Sequence, residues 1–372
     1  MSDIGGILSI SSQALLTQQK AMNVTSHNIA NVNTPGYSRQ RLRMSTNTPA
    51  SMSIGMVGSG VSADSVERIY DRFLNDQINI ENQELGRWDA QKGAVEVVET
   101  IFNESDGYGL NHVMSRFWEA WQSLTNNPTG QTERQILITD SQALARTFNQ
   151  LVSDLNQAQK DLDIIIEGTV DEVNRLSEQL VDLNQKIISA EADTSVANDY
   201  RDSREQVLKE LSKLIDIDSF EDAFGATHVR PSNGRPLVGG GQSWQLSTQI
   251  NAAGLNDVVW LDPSGSPVDV TGDIDGGKLK GYLKVRDDII TDDLNRLDTL
   301  AQTLMTDINT LHQAGFALDG SPGLAFFSGT GAGNMALNTT IAGSPDLIAA
   351  AADAATVPGD NRQAIAIAEL QY

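Results

Sequence analysis

The side chains that most often do chemistry in enzymes are few in this sequence and poorly placed for it. Its four histidines are His27, His112, His228 and His312, and none has a partner at the spacing of a metal site or a catalytic triad. Cysteine is absent, which excludes thiolate nucleophiles, thiolate metal sites and disulfides. No phosphate-binding loop, zinc-protease motif or nucleophile elbow occurs. The sequence therefore predicts no catalytic residue, no cofactor and no bound metal.

One acidic segment has a weak likeness to a calcium-binding loop. Asp269, Asp273 and Asp275 stand close to glycines in "DVTGDIDGG". The glutamate that closes an EF-hand loop is missing, however. We therefore interpret this segment as a turn.

The charged residues with the most informative spacing are three arginines in "SRQRLRM". Arg39, Arg41 and Arg43 alternate along a predicted strand, so they lie on one of its faces. The chain has 49 acidic and 26 basic residues and a formal net charge of -23. The three arginines are therefore a candidate contact surface for carboxylates, although a solvated strand edge protected by positive charge is the alternative. The net charge also argues against binding to nucleic acid or to an anionic membrane.

The segment before the arginines predicts a long helix with a narrow apolar seam. Leu8, Leu15, Met22 and Ile29 recur every seven residues, which is typical of coiled coils. Amide and hydroxyl side chains flank this seam, and a helix of this kind is marginal in water by itself. It can dock on its own domain or pack against copies of itself. We favour self-packing, because polar flanks suit hydrogen bonds across such an interface.

The helix has to end sharply before the arginines. Asn31 and Asn33 tolerate turn conformations, Pro35 disfavours a helical conformation at the preceding residue, and Gly36 permits a positive φ. We expect a joint here between this helix and the rest of the chain. The predicted assembly and interface residues are Leu8, Leu15, Met22, Asn28, Ile29, Asn31, Asn33, Pro35, Gly36, Tyr37, Arg39 and Arg41.

The rest of the chain is mostly helical in pattern. Residues 67–150 show a helical pattern, with apolar residues at helical spacing from Val66 onward. A heptad run over 151–187 predicts a long coiled-coil-like arm followed by a return helix from Asn198. Short alternating segments with Gly/Pro turns between 215 and 274 predict a small β region. A helix of about thirty residues then runs from Lys278 to Gly315. The predicted fold is mainly α, an elongated long-helix bundle with coiled-coil-like packing and a small inserted β region.

Several stretches resemble one protein superfamily. "SSQALLTQQKAMNVTSHNIANVNTPGYSRQ" resembles the N-terminal signature of flagellar axial proteins, the rod, hook and hook-associated subunits. Its "NIANVNTPGYSRQ" ending is most similar to that of the hook-associated protein 1 family. "FWEAWQSLTNNPTG" and the segment around Asp202 also resemble that family. A further block matches at Asp275, Gly276, Gly277, Gly281, Arg286, Asp287, Asn309, His312 and Gly315.

The resemblance implies a structural subunit of the bacterial flagellum that forms the hook–filament junction by axial self-assembly. The implied partners are further copies of the chain, the hook protein, the second junction protein (hook-associated protein 3) and an export chaperone. The alternatives are a hook or rod subunit of the same superfamily, or a secreted coiled-coil adhesin or effector whose first helix serves only in export.

The N-terminus lacks the basic leader and continuous apolar core of a cleaved secretory signal. We therefore expect export by the flagellar type III route without a cleaved signal peptide, and a location at the junction outside the cell. The expected domains are an axial helix and joint in 1–45, a long-helix bundle domain in 46–215 and a small β region within it in 216–277. Residues 278–372 are expected to hold the return helix, a short connection and a truncated C-terminal part.

Overall fold

The computed structural model describes residues 2–52, 55–103, 109–192 and 196–372. The prediction of a mainly α fold with long helices and small β insertions is confirmed. The described chain divides into two compact units, one formed by Met1–Ala90 and Ile165–Gly281 and the other by Gln91–Ile164 and Tyr282–Tyr372. The four-part domain division made from the sequence stays a prediction.

The N-terminal part holds a long helix followed by four short strands. They are α1 (Ser2–Ala30), β1 (Gln40–Thr46), β2 (Ala50–Met52), β3 (Gly55–Val57) and β4 (Val61–Arg68). β1 pairs antiparallel with β4, with an irregularity between Arg43 and Met44, and β2 pairs with β3. The gap between α1 and β1 contains the predicted joint.

The middle of the chain is helical, as the heptad pattern predicts. The helices are α2 (Arg72–Phe102), α3 (Leu110–Asn126), α4 (Gln131–Glu191) and α5 (Asn198–Leu214). The predicted apolar run along α4 is buried throughout, at Leu151, Leu155, Leu162, Ile166, Val170, Val173, Leu176, Leu180, Leu183 and Ile187. The predicted long helix and return helix are thus confirmed.

The prediction of helical structure at Val66 and Glu67 is wrong. Val66 pairs with Leu42 of β1, and α2 begins only at Arg72. The Asp71 carboxylate accepts the backbone N–H of Leu74 at 3.1 Å, which satisfies one of the free donors at a helix start. Strand pairing at long range therefore overrides helical spacing that is apparent only in the local sequence.

The predicted small β region is confirmed and consists of two antiparallel sheets. Its strands are β5 (Asp218–Glu221), β6 (Thr227–Arg230), β7 (Val238–Gly239), β8 (Gln242–Ser243), β9 (Leu246–Ile250), β10 (Asn256–Leu261) and β11 (Pro267–Asp269). The strand orders are β5-β6-β7-β8 and β11-β10-β9.

Asparagines on α4 hold these strands by mimicking a peptide group. Asn184 donates to the Thr227 carbonyl at 2.8 Å and accepts the Thr227 N–H at 3.0 Å. Asn174 forms the same pair of bonds with Leu246, at 2.8 and 2.9 Å. Strand groups that would otherwise lack partners are satisfied in this way.

The predicted helix from Lys278 is present as one continuous helical run up to Gly315. It consists of α6 (Gly277–Leu283), a π-helical segment (Lys284–Ile289) and α7 (Ile290–Ala314). Gly277 has a φ of +72°, and a Cβ atom there would lie 2.3 Å from the Ile215 nitrogen. The strands and α-helices that follow are β12 (Phe327–Ser328), β13 (Ala336–Leu337), α8 (Thr339–Gly343) and α9 (Arg362–Ala368).

The unit that contains α3 has an aromatic core. Phe117 and Trp121 are fully buried, and the Trp121 ring centroid lies 5.3 Å from that of Phe326. His312 is buried beside them. Its Nδ1 lies 2.6 Å from the Leu324 carbonyl, and its Nε2 accepts the Ala349 N–H at 2.9 Å. Burial lowers the pKa of His312 to about 4, so this histidine is a neutral structural residue at neutral pH.

Candidate functional site

The first helix has two different faces. One face packs against β1 and β4, and its Thr17 is only 5% exposed. The seam formed by Leu8, Leu15, Met22 and Ile29 lies on the other face, with exposures of 64%, 72%, 61% and 68%. Leu15 and Thr17 are two residues apart, which separates their directions by about 200° on a helix. The helix thus docks on its own unit through the face that carries Ile10, Thr17 and Val24, and the described residues leave the seam exposed.

Asn28 joins the end of this helix to the start of β1. Its amide group donates to the Gln40 carbonyl and its carbonyl accepts the Gln40 N–H, both at 2.8 Å. The same Asn28 oxygen accepts the Tyr37 hydroxyl proton at 2.8 Å. The Tyr37 oxygen also lies 3.0 Å from Nδ1 of His27. Only a side chain with both a donor and an acceptor can pair with both groups of Gln40.

The turn that follows has the local structure expected of its residues. Asn31 donates its backbone N–H and its side-chain amide to the His27 carbonyl, both at 3.1 Å. The Asn31 side-chain oxygen accepts the Thr34 hydroxyl proton at 3.2 Å. Gly36 has a φ of +80°, a conformation that favours glycine. The other two predicted joint residues are Asn33 and Pro35, and both are exposed.

The joint is also held from a distance by α5, which the sequence did not indicate. Asp202 accepts the backbone N–H of Ser38 at 2.8 Å through one carboxylate oxygen. Its other oxygen accepts from Arg68, the last residue of β4, at 3.1 Å. The Asp202 and Arg68 side chains are only 7% and 9% exposed. One turn earlier on α5, Asp199 accepts from the Gln40 side chain at 3.0 Å.

Packing at Gly36 is close as well. A Cβ atom at Gly36 would lie 3.2 Å from Oε1 of Gln206. Burial and the neighbouring carboxylates of Asp199 and Asp202 raise the pKa of Tyr37 above its usual range. The joint therefore packs against α5, and its position depends on α5 as well as on the turn.

The three arginines differ in their surroundings. Arg43 forms an ion pair with Glu67 of β4 at 3.0 Å, and Arg41 lies 3.7 Å from the same carboxylate. Arg39 is exposed and forms no ion pair within the described ranges. The hydrogen bond from Arg43 lowers the pKa of the Glu67 carboxyl. Glu67 was not foreseen from the sequence as a partner of these arginines.

The described part of the chain holds neither a metal site nor a membrane span. No group of three or more histidine, cysteine, aspartate or glutamate side chains there is arranged to hold a metal ion. No described helix is long and apolar enough to cross a bilayer.

Comparison with known proteins gives two family matches. The model described as the flagellar hook-associated protein FlgK helical domain matches residues 95–327, which is more than half of the chain. The model described as the flagella basal body rod protein matches residues 8–37, which include most of α1 and the joint.

Individual hook-associated proteins are also similar to this chain. Flagellar hook-associated protein 1 of Bacillus subtilis (strain 168) is 29% identical over 352 residues, covering 86% of this chain and 69% of the relative. The protein of the same name from Escherichia coli (strain K12) is 27% identical over 315 residues, covering 83% of this chain and 57% of the relative. The structure of the flagellar hook junction protein FlgK from Burkholderia pseudomallei is similar in fold, with a TM-score of 0.62, at 21% identity. That similarity covers 69% of this chain and 46% of the other.

Proposed function

This chain belongs to the FlgK family of flagellar hook-associated proteins, and we propose that it is a structural subunit of the junction between the flagellar hook and filament. The observation that carries the proposal is the match of the FlgK helical domain to residues 95–327. The family consists of structural flagellar proteins, and the chain is not an enzyme.

That match also separates the proposal from its alternatives. The rod-protein model covers only residues 8–37, which resemble the wider superfamily of axial proteins. A hook or rod subunit would not account for the FlgK helical domain, and neither would a secreted adhesin or effector with an unrelated helical body. The junction role therefore accounts for more of the chain than the other functions do.

The seam on α1 is the proposed surface for axial self-assembly. Four apolar side chains on one face of this helix are each more than half exposed. Such a concentration of apolar groups is unusual on a solvent-exposed surface. Fully burying one such side chain contributes about 1.5–3 kcal/mol. Packing the seams of neighbouring subunits against each other offsets part of the entropy lost on association.

The joint sets the direction of this helix. Asn28 ties the end of α1 to β1, and Asp202 ties the residue after Tyr37 to α5. An assembly of identical subunits requires every copy to present its seam at the same angle. The proposed interface residues are the twelve predicted from the sequence, with the α5 contacts as their support.

The protein is located in the flagellum, where it assembles with other flagellar proteins. The specific partners we propose are further copies of the chain, the hook protein, hook-associated protein 3 and an export chaperone. We also propose that the protein is exported by the type III route without a cleaved signal peptide. Nucleic acid and membranes are not among its proposed partners.

Complementation tests this function. In a flagellated strain that lacks its own hook-associated protein 1, the chain should restore swimming. Label specific for the chain should be visible at the hook tip in electron micrographs. Leu15→Asn should abolish both effects without lowering the thermal midpoint of the purified protein. Ile250→Asn is the matched control, because Leu15 and Ile250 are both 72% exposed. Failure of the unmodified chain to reach the hook tip would contradict the proposal.

A further inference from the structure

A groove lies beside the C-terminal end of α1, with a volume of about 660 Å³. Its apolar wall is formed by Ile29, Val32, Met44 and Ile69, whose exposures are 68%, 74%, 45% and 45%. Apolar side chains concentrated in this way on a surface mark a site of interaction. Ile29 belongs to both the groove and the seam, so the two surfaces are continuous.

The rim of this groove is positively charged. Arg39 and Arg41 are the charged residues among the described side chains that line it. Arg39 forms no ion pair with any residue in the described parts of the chain, and the Arg41 side chain is 68% exposed. In a protein with a net charge of -23, such a groove suits an apolar segment that carries a carboxylate.

The first turns of α2 have this complementary chemistry. Phe73 and Ile80 are 78% and 56% exposed, and their separation of seven residues places them on one helix face. Asp76 lies between them with a side chain that is 48% exposed, and its ion pair with Arg72 is long, at 3.8 Å. These three residues form an apolar ridge with an acidic group, and the described residues leave this ridge exposed.

We propose that the groove of one copy receives the α2 ridge of a second copy. The contact uses two different surfaces, so it can repeat from copy to copy and generate a ring or a helical array. Phe73 and Ile80 bury their side chains against Val32 and Met44, while Asp76 meets Arg39. The proposal rests on the proposed junction function and names one subunit contact within it.

Crosslinking between copies tests the contact, and the absence of cysteine makes it unambiguous. Thr25→Cys places a thiol on the groove wall, and Gln77→Cys places one beside Phe73 without removing the ridge. The two variants are produced together in the complemented strain, and isolated hooks are treated with a short bismaleimide. We expect a covalent dimer from the mixture and none from either variant alone. The control mixture contains Gln249→Cys in place of Gln77→Cys, because both glutamines are exposed. This mixture should give no dimer.

A charge exchange provides a second measurement. Arg39→Glu and Asp76→Lys should each reduce labelling of hook tips at least tenfold, and the double variant should recover to within about threefold of the unmodified chain. A dimer from Thr25→Cys alone would show a symmetric contact and would overturn the proposal. The proposal would also be overturned if both single charge variants incorporated normally and the mixture gave no crosslink. The proposed junction function would still stand in that case. Failure of the unmodified chain to incorporate would overturn both proposals.

Discussion

The backbone N–H of Ser38 donates a hydrogen bond of 2.8 Å to the carboxylate of Asp202, which lies 164 residues further along the chain. This bond connects the residue next to the turn after α1 with the first half of α5. The other oxygen of Asp202 binds Arg68 at 3.1 Å. One buried carboxylate thus holds both the start of the β1 segment and the end of β4.

Removal of this carboxylate should destabilise the unit that contains α1. Asp202→Ala leaves the buried Arg68 guanidinium with Glu205, at 3.5 Å, as its ion-pair partner, and removes the acceptor of the Ser38 N–H. We expect a loss of about 2–4 kcal/mol in the free energy of unfolding, measured by urea denaturation. Glu172→Ala is the control, because the ion pair between Glu172 and Arg175 is exposed. This control should change the free energy of unfolding by less than about 1 kcal/mol. Equal effects of the two variants would show that Asp202 does not hold the joint.

Gly36 should tolerate asparagine better than valine. Its φ of +80° and the approach of Gln206 oppose a β-branched side chain, whereas asparagine enters the left-handed region more readily. Gly36→Val should lower the free energy of unfolding by about 1–3 kcal/mol and abolish labelling at the hook tip. Gly36→Asn should retain most of both properties. Normal swimming with Gly36→Val would contradict the role of this turn in assembly.

Two glycines of α2 should respond in opposite ways to alanine. A Cβ atom at Gly86 would lie 2.1 Å from the Lys213 carbonyl oxygen of α5, whereas Gly93 has no atom within 4 Å. Gly86→Ala should destabilise the protein by about 1–3 kcal/mol, because the two helices would have to separate. Gly93→Ala should be neutral or stabilise by up to about 1 kcal/mol, because glycine is a poor helix former. Thermal melts of both variants test the close packing of α2 on α5.

His312 should make stability depend on pH below neutrality. Its pKa is lowered to about 4 in the folded protein by burial, while an unfolded histidine titrates near 6.5. As pH falls from 6.5 towards 4, the unfolded chain takes up a proton that the folded chain does not. The free energy of unfolding therefore decreases, by about 3 kcal/mol over the full range.

Urea denaturation between pH 4.5 and pH 7.5 measures this effect. His312→Gln keeps an acceptor for the Ala349 N–H and removes the titrating group, so its stability should vary less over the same range. An unchanged pH dependence in the variant would assign the effect to other groups.

The sequence by itself determined the elements whose signals are local. The heptad spacing of α4 predicted a long helix with a buried apolar face, and that face is buried from Leu151 to Ile187. The order Asn-Val-Asn-Thr-Pro-Gly predicted the end of α1 and the positive φ of Gly36. The seven-residue spacing from Leu8 to Ile29 predicted a seam. These signals were sufficient because helix periodicity, proline and glycine act over a few neighbouring residues.

Only the tertiary structure decided which groups meet across the fold. The strand pairing of Val66 with Leu42 replaced the helix expected there, because pairing energy depends on a partner that lies far away in sequence. Ser38 and Asp202 meet for the same reason, since no spacing rule connects residues in a turn with a helix 164 positions later. The direction of the seam on α1 was also decided in three dimensions. The face that carries Ile10, Thr17 and Val24 packs on β1 and β4, and this contact leaves the seam residues exposed on the opposite side of α1.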